Sequence, residues 1–145
     1  MSSCVFCEIV ARRAPASIVY RDEVCCAFMD THPVNPGHVL IVPNVHVASI
    51  DDLNEKIGGH LFAVAQRIAR ALRHSGVRCE GVNLFLADGQ AAGQEVFHVH
   101  LHVFPRFAGD GFGLRPGPNY AKLPPRRELD EIAAVISTQM VGASP

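Results

Sequence analysis

Leu53, Ile57, Leu61, Val64, Ile68 and Leu72 step along the chain by four, four, three, four and four residues. This is the period of one apolar stripe on a helix. Asp51 is placed to cap the start of that helix and Gly76 to close its end. Gly58-Gly59 inside it costs about 1 kcal/mol per glycine relative to alanine. Elsewhere the period shortens. "SIVYRDEVCCAFMD" (17–30) reads as two short strands about an Arg21-Asp22-Glu23 turn. "PGHVLIVP" (36–43) is an apolar run with a proline at each end and predicts a buried strand. "GVNLFLADG" (81–89) predicts a strand ending in a Gly-rich loop, and "EVFHVHLHVFP" (95–105) predicts the next strand. Residues 113–125 form a Pro/Gly-rich loop, and Leu129, Ile132, Val135, Ile136 and Met140 mark a shorter closing helix. Strands joined by short turns, with the helices set apart, predict an α+β fold on an antiparallel sheet.

Composition narrows the class. The chain has 145 residues, within the range of one domain, and 48% of them are apolar against 19% charged, which is globular composition. A net charge of −1 without a block of Lys or Arg argues against a nucleic-acid partner, since phosphate binding needs clustered basic surface. No apolar run approaches the roughly 20 residues that span a bilayer, so no membrane partner is expected. "MSSCVFCEIV" lacks the basic and apolar regions of a secretory signal, and the five cysteines are an odd number. Both features point to the cytoplasm rather than to a disulfide framework.

The candidate chemistry gathers in "HVHLHVFPR" (98–106). In a strand, His98, His100 and His102 share one face while Val99, Leu101 and Val103 turn to the core. Lys, Thr or Glu would serve a merely solvated face as well. Clustered imidazoles press each other towards the neutral form, which is both nucleophile and metal ligand. The preceding loop, "ADGQAAGQ" (87–94), holds small residues whose backbone N–H groups can cradle an anion such as phosphate. Cys4 and Cys7 have the C-x2-C spacing that lets two thiolates grip one tetrahedral metal, although two reduced cysteines would show the same spacing.

"AGQEVFHVHLHVFPR" and "FMDTHPVNPGHVLIVPNVH" together resemble the histidine triad (HIT) family of nucleotide hydrolases and transferases. The family motif alternates three histidines with apolar residues, and 98–104 fits every position. The resemblance implies a single domain over 1–145 with a five-stranded antiparallel sheet, one long central helix and a C-terminal helix. It also implies a homodimer that binds a purine nucleotide such as an AMP derivative. His100 takes the place of the family's nucleophile, which attacks the α-phosphorus to give a nucleotidyl-histidine. His102 matches a phosphate contact, and His38, in "PGH", a further active-site histidine. Gly93, Gln94 and Glu95 fall in the phosphate loop, Asp30 matches the acid that binds ribose hydroxyls, and Phe28 and Ile9 match walls of the base pocket. A transferase branch carries glutamine at the position of His102, so His102 favours hydrolysis.

Two positions depart from the family pattern. Ala87 stands where Asn or Gln is usual, and Glu95 where a Ser or Thr hydroxyl would donate to the leaving group. In many bacterial members, a histidine in P-x-x-H and the first triad histidine join the cysteine pair on zinc. That implies one structural Zn2+ per chain on Cys4, Cys7, His46 and His98. Cys25, Cys26 and Cys79 read as packing residues, and His32, His60 and His74 as surface or helix-end residues. Three functions compete: a nucleotide hydrolase, a nucleotide-binding or interaction protein with vestigial catalysis, and a metal module in which all three triad histidines ligate.

Overall fold

The computed structural model describes residues 4–141, in two compact units divided between Phe112 and Gly113. The first unit runs α1 (Val5–Val10), β1 (Ile18–Arg21), β2 (Cys25–Met29), β3 (Val39–Pro43), α2 (Glu55–His74), β4 (Gly81–Phe85) and β5 (Leu101–Arg106). Short 3-10 turns sit at Ile50–Asp52 and Gln90–Ala92. The strands form one five-stranded sheet in the order β1-β2-β3-β5-β4, and every neighbouring pair is antiparallel. The second unit contains α3 (Arg126–Val141), whose Leu129, Ile132, Val135, Ile136 and Met140 are exposed. No helix among the described residues is long and apolar enough to cross a membrane.

Strand alternation divides the core in two. Cys25 and Ala27 of β2, Val39 and Ile41 of β3 and Val103 of β5 point to α2. They meet its stripe of Leu61, Val64, Ala65, Ile68, Ala69 and Leu72. Full burial of a Leu, Val or Ile side chain there contributes roughly 1.5–3 kcal/mol. The alternate residues, Cys26, Phe28, Leu40 and Val42, pack on Phe6 and Ile9 of α1. His102 pairs with Leu40 in register, so it shares the α1 face of the sheet rather than the α2 face.

Several boundaries differ from the sequence reading. Asn54, not Asp51, caps α2, its side chain accepting from Lys56 N–H at 2.9 Å. Asp51 lies in the preceding 3-10 turn, capped by Ser49. Gly76, just past the C-cap Ser75, has φ +83°, the left-handed conformation expected of a helix stop. β4 stops at Phe85, and β5 begins only at Leu101. Ahead of Leu101 the chain leaves the β3 ladder, and Val99 N–H turns to the Val47 carbonyl at 2.8 Å. His98 therefore lies in a bend and His100 in the irregular segment before β5, and only His102 lies inside the strand.

His60 is not a bare helix residue. Its Nε2 meets Asp22 at 2.6 Å, while Asp22 also accepts from the N–H groups of Val24 and Cys25 and from the Tyr20 hydroxyl. Burial raises the Asp22 carboxyl, but these donors together hold it well below the usual carboxylate range. The β1–β2 turn is thereby tied to α2. Cys25 and Cys26 are fully buried, and burial pushes the Cys25 thiol up to about 12.

Gly37 fixes the approach to His38. Its φ of +104° disfavours any side chain, and a Cβ would stand 3.0 Å from Val77 Cγ1 and 3.1 Å from Leu72 Cδ2 and Pro105 Cγ. The same corner is held by Asn35, which donates to the Pro105 carbonyl and to Asp110, each at 2.9 Å.

Candidate active site and metal cluster

Hydrogen bonds assign each imidazole a different task. A ring nitrogen that meets a carbonyl must carry the proton. His98 Nε2 meets the Pro43 carbonyl at 2.9 Å, so its Nδ1 keeps the lone pair in the neutral ring. His100 Nδ1 meets the His98 carbonyl at 2.8 Å, so its Nε2 keeps the lone pair. The Val34 N–H donates to His38 Nδ1 at 3.0 Å, which puts the His38 proton on Nε2. His38 Nε2 then donates to His102 Nδ1 at 2.9 Å, and His102 retains its own proton on Nε2. The array presents one bare imidazole nitrogen at His100 and one N–H donor at His102.

Burial favours the neutral form of His38, His98 and His102. It lowers the pKa of His38 and of His98. Burial, reinforced by His100 and His38, pulls His102 down to about 4, against a smaller opposing pull from Asp30. Asp30 Oδ2 lies 3.4 Å from His38 Nε2 and 4.0 Å from His102 Nδ1. Its other oxygen accepts from the His32 N–H at 2.8 Å.

These groups open onto a cavity of about 960 Å3. His38, His100, His102 and Asp30 form its polar end. Val5, Phe6 and Ile9 of α1 and Phe28 of β2 form an apolar wall. Of the residues that the sequence assigned to nucleotide binding, Ile9, Phe28, Asp30 and Glu95 line the cavity, whereas Gly93 and Gln94 do not. The Gln94 amide is taken up within the protein. Its oxygen accepts from Gly89 N–H at 2.7 Å, and its nitrogen donates to the Ala48 and Val96 carbonyls at 2.8 and 3.1 Å. That side chain shapes the loop from inside. Gly93 has φ +87°, a conformation for which glycine is suited, and Ala87 is buried.

Phe6 is a site residue that the sequence reading passed over. Its ring centroid lies 5.2 Å from His100, 5.9 Å from His98 and 5.5 Å from Phe28. Its signal was positional: an apolar residue inside the C-x2-C pair, one helical turn before Ile9.

Cys4, Cys7, His46 and His98 bring four ligand atoms within 4.8 Å of one another. His98 Nδ1 stands 3.5 Å from Cys4 Sγ, 3.6 Å from Cys7 Sγ and 3.2 Å from His46 Nδ1. Cys7 Sγ stands 3.3 Å from His46 Nδ1. A tetrahedral zinc with ordinary bond lengths requires N···N edges of about 3.3 Å and S···N edges of about 3.5 Å. The spacing therefore fits the ion. So does the chemistry: the bare Nδ1 of His98 faces the cluster, and burial and the neighbouring Cys4 resist ionisation of Cys7, a cost that a cation offsets. Asp30, His38 and His102 make a separate cluster, and His100 belongs to neither set among the described residues.

A family model for the HIT domain matches residues 11–109. A HIT-like protein of Borreliella burgdorferi is 39% identical over 118 residues, 81% of this chain and 85% of that protein. An adenylylsulfatase of Arabidopsis thaliana is 31% identical over 105 residues, 72% of this chain and 53% of that protein. Among solved structures, a zinc-bound histidine triad family protein from Mycobacterium smegmatis is similar at 39% identity and TM-score 0.74, with 98% of each chain covered. A HIT family member from Bacillus subtilis is similar at 33% identity and TM-score 0.87, over 99% of this chain and 100% of that one.

Proposed function

The chain belongs to the HIT family, and on that footing we propose that it is a nucleotide hydrolase. Its substrates are nucleoside phosphoramidates or dinucleoside polyphosphates, cleaved at the α-phosphorus through a nucleotidyl-His100 intermediate. The observation that carries this reading is the 2.8 Å bond from His100 Nδ1 to the His98 carbonyl, which commits the other nitrogen to the lone pair. The resemblance to an adenylylsulfatase supports adenylyl chemistry.

In the first step the Nε2 lone pair of His100 forms a bond to the α-phosphorus. The bond to the leaving group breaks, and its electron pair goes with the leaving atom. The charge gained by the imidazole is shared with Nδ1–H, which the His98 carbonyl holds. Water then attacks phosphorus, the N–P bond breaks, and its pair returns to Nε2. Overall, water gives its hydroxyl to the nucleotide and its proton to the leaving group. His102 donates its Nε2–H to a phosphoryl oxygen, an interaction whose loss costs about 10²–10³ in rate at comparable sites. Asp30 accepts from the ribose hydroxyls, and Phe28 and Ile9 enclose a purine base against the apolar wall.

Zinc, when bound by Cys4, Cys7, His46 and His98, supplies a structural cross-link, all four of its positions being filled by protein. The zinc-bound relative from Mycobacterium smegmatis supports this assignment. The protein acts as a homodimer in the cytoplasm on this reading. The edge strand β4 leaves Leu84 and Phe85 exposed, as a self-association surface would, and the described cysteines are all free, as suits a reducing compartment.

A second reading, a nucleotide-binding protein with little turnover, is favoured by one observation. Glu95 sets a carboxylate on the wall that receives phosphate. Hydrolysis of adenosine 5′-phosphoramidate separates the two. The hydrolase reading requires steady turnover by the wild type and none by His100→Ala, with AMP bound by both. AMP binding without wild-type turnover would favour the second reading.

A further inference from the structure

The contacts of His98 lead in three directions. Its Nδ1 faces Cys4, Cys7 and His46, its Nε2 holds the Pro43 carbonyl, and its own carbonyl holds the nucleophile His100. Helix α1 makes a second link between the same two places. Cys4 caps it and Cys7 lies within it, while Val5, Phe6 and Ile9 of the same helix wall the cavity. Phe6 stands edge-on to both His98 and His100.

A six-residue helix has little stability of its own. It is held by the burial of Phe6 and Ile9, and by Arg21, which donates to the Val10 and Ile9 carbonyls at 2.7 and 3.3 Å. An ion on Cys4 and Cys7 ties the N-terminal half of α1 to His98, next to the catalytic imidazole. A nucleotide seated against Val5, Phe6 and Ile9 presses on the same helix from the cavity side. Each ligand thus fixes a segment that the other also needs fixed.

We propose that the Cys4–Cys7–His46–His98 site and the nucleotide cavity are thermodynamically coupled through α1 and His98, so that zinc tightens nucleotide binding and nucleotide tightens zinc binding. The proposal rests on the reading of the cavity as a nucleotide site. Linkage is reciprocal: whatever factor zinc applies to nucleotide affinity, the nucleotide must apply to zinc. The expected factor is about tenfold, within the usual span of such couplings.

The test uses Zn2+ and AMP, and none of its readouts is catalytic. Zinc retention by the full-length protein is titrated with a competing chelator, with and without saturating AMP. AMP affinity is measured by calorimetry on the zinc-loaded and the chelator-stripped protein. The expected result is about a tenfold gain in each affinity, equal in size. Weak chelation of zinc by AMP itself works against that gain and cannot produce it. If both ligands bind and neither moves the other, the coupling is wrong while the nucleotide-site reading stands. If AMP binds neither form, the nucleotide-site reading fails and the coupling with it. Where the stripped chain unfolds, Phe6→Leu decides. The factor falls towards one if the link runs through the Phe6 contacts. If it keeps the wild-type value, AMP only stabilises the fold and the proposal is overturned.

Discussion

His38 donates its Nε2 proton to Nδ1 of His102 across 2.9 Å, and this bond decides which side of the His102 ring is a donor. The Val34 N–H, bonded to His38 Nδ1 at 3.0 Å, sets the tautomer one step further back. A main-chain group in the Pro33–His38 corner thereby governs a proton at the polar end of the cavity.

Removing His38 should therefore weaken catalysis through His102. His102→Ala should lower kcat about a hundredfold, the usual cost of losing one preorganised donor. His38→Ala should cost less, and the double variant should cost little more than His102→Ala alone, because the two side chains act as a unit. A double-mutant cycle on kcat is the check. Strictly additive losses would mean that His38 does not act through His102.

The buried histidines also predict the acid limb of stability. His102 has a folded pKa of about 4 against 6.5 for an unperturbed ring. Above 6.5 both folded and unfolded chains hold it neutral, and it contributes nothing to pH dependence. Below 6.5 the unfolded chain takes up the proton first, so stability falls as pH drops from 6.5 towards about 4. The loss from this ring is on the order of 3 kcal/mol at the bottom of that window. His38, lowered in the same direction by burial, adds to it. Denaturant titrations from neutral pH down to pH about 4 should show a slope that His102→Gln flattens; an equal slope in that variant would mean that His102 titrates normally in the folded protein.

Metal content distinguishes the roles of the three triad histidines. The wild type should carry one zinc per chain, His98→Ala and Cys7→Ser should lose it, and His100→Ala should keep it in full. Elemental analysis of protein purified without chelator gives the answer. Zinc lost from His100→Ala would favour a site in which the whole triad ligates.

Much of this was legible in the sequence. The apolar stripe from Leu61 to Leu72 gave α2, because burial against β2 and β3 demands it. The alternation of 98–104 gave the histidines because it is a local pattern with a chemical signature. What escaped was set by distant partners. β5 starts at Leu101 because β3 offers its last pairing at Ile41, and nothing in residues 95–100 records that. Asn54 displaced Asp51 as the cap because the chain spends 50–52 on a 3-10 turn. Gln94 looked like a ligand-facing amide, yet its partners are the Gly89, Ala48 and Val96 backbone groups, one of them 46 residues away. Phe6 gained its place beside His100 only when α1 folded onto the sheet.

Glu95 is exposed and lines the cavity with His100 and His102, in the position where the sequence resemblance implies a hydroxyl. A carboxylate cannot donate to a departing group and repels phosphate. Glu95→Thr should raise the rate for poor leaving groups by about tenfold and leave good ones nearly unchanged. Steady-state rates across a series of nucleoside phosphoramidates of graded leaving group test this. An unchanged rate with the poorest of them would show that residue 95 does not reach the leaving group.

The central claim is that the Nε2 of His100 becomes covalently nucleotidylated. Intact-protein mass spectrometry of rapidly quenched turnover with an adenosine phosphoramidate reads that bond directly. The account predicts a transient adduct of one adenylyl group per active chain, mapping to His100, formed and lost at rates that match turnover, and missing from His100→Ala. Turnover at the full wild-type rate by His100→Ala, or an adduct on another residue, would contradict it.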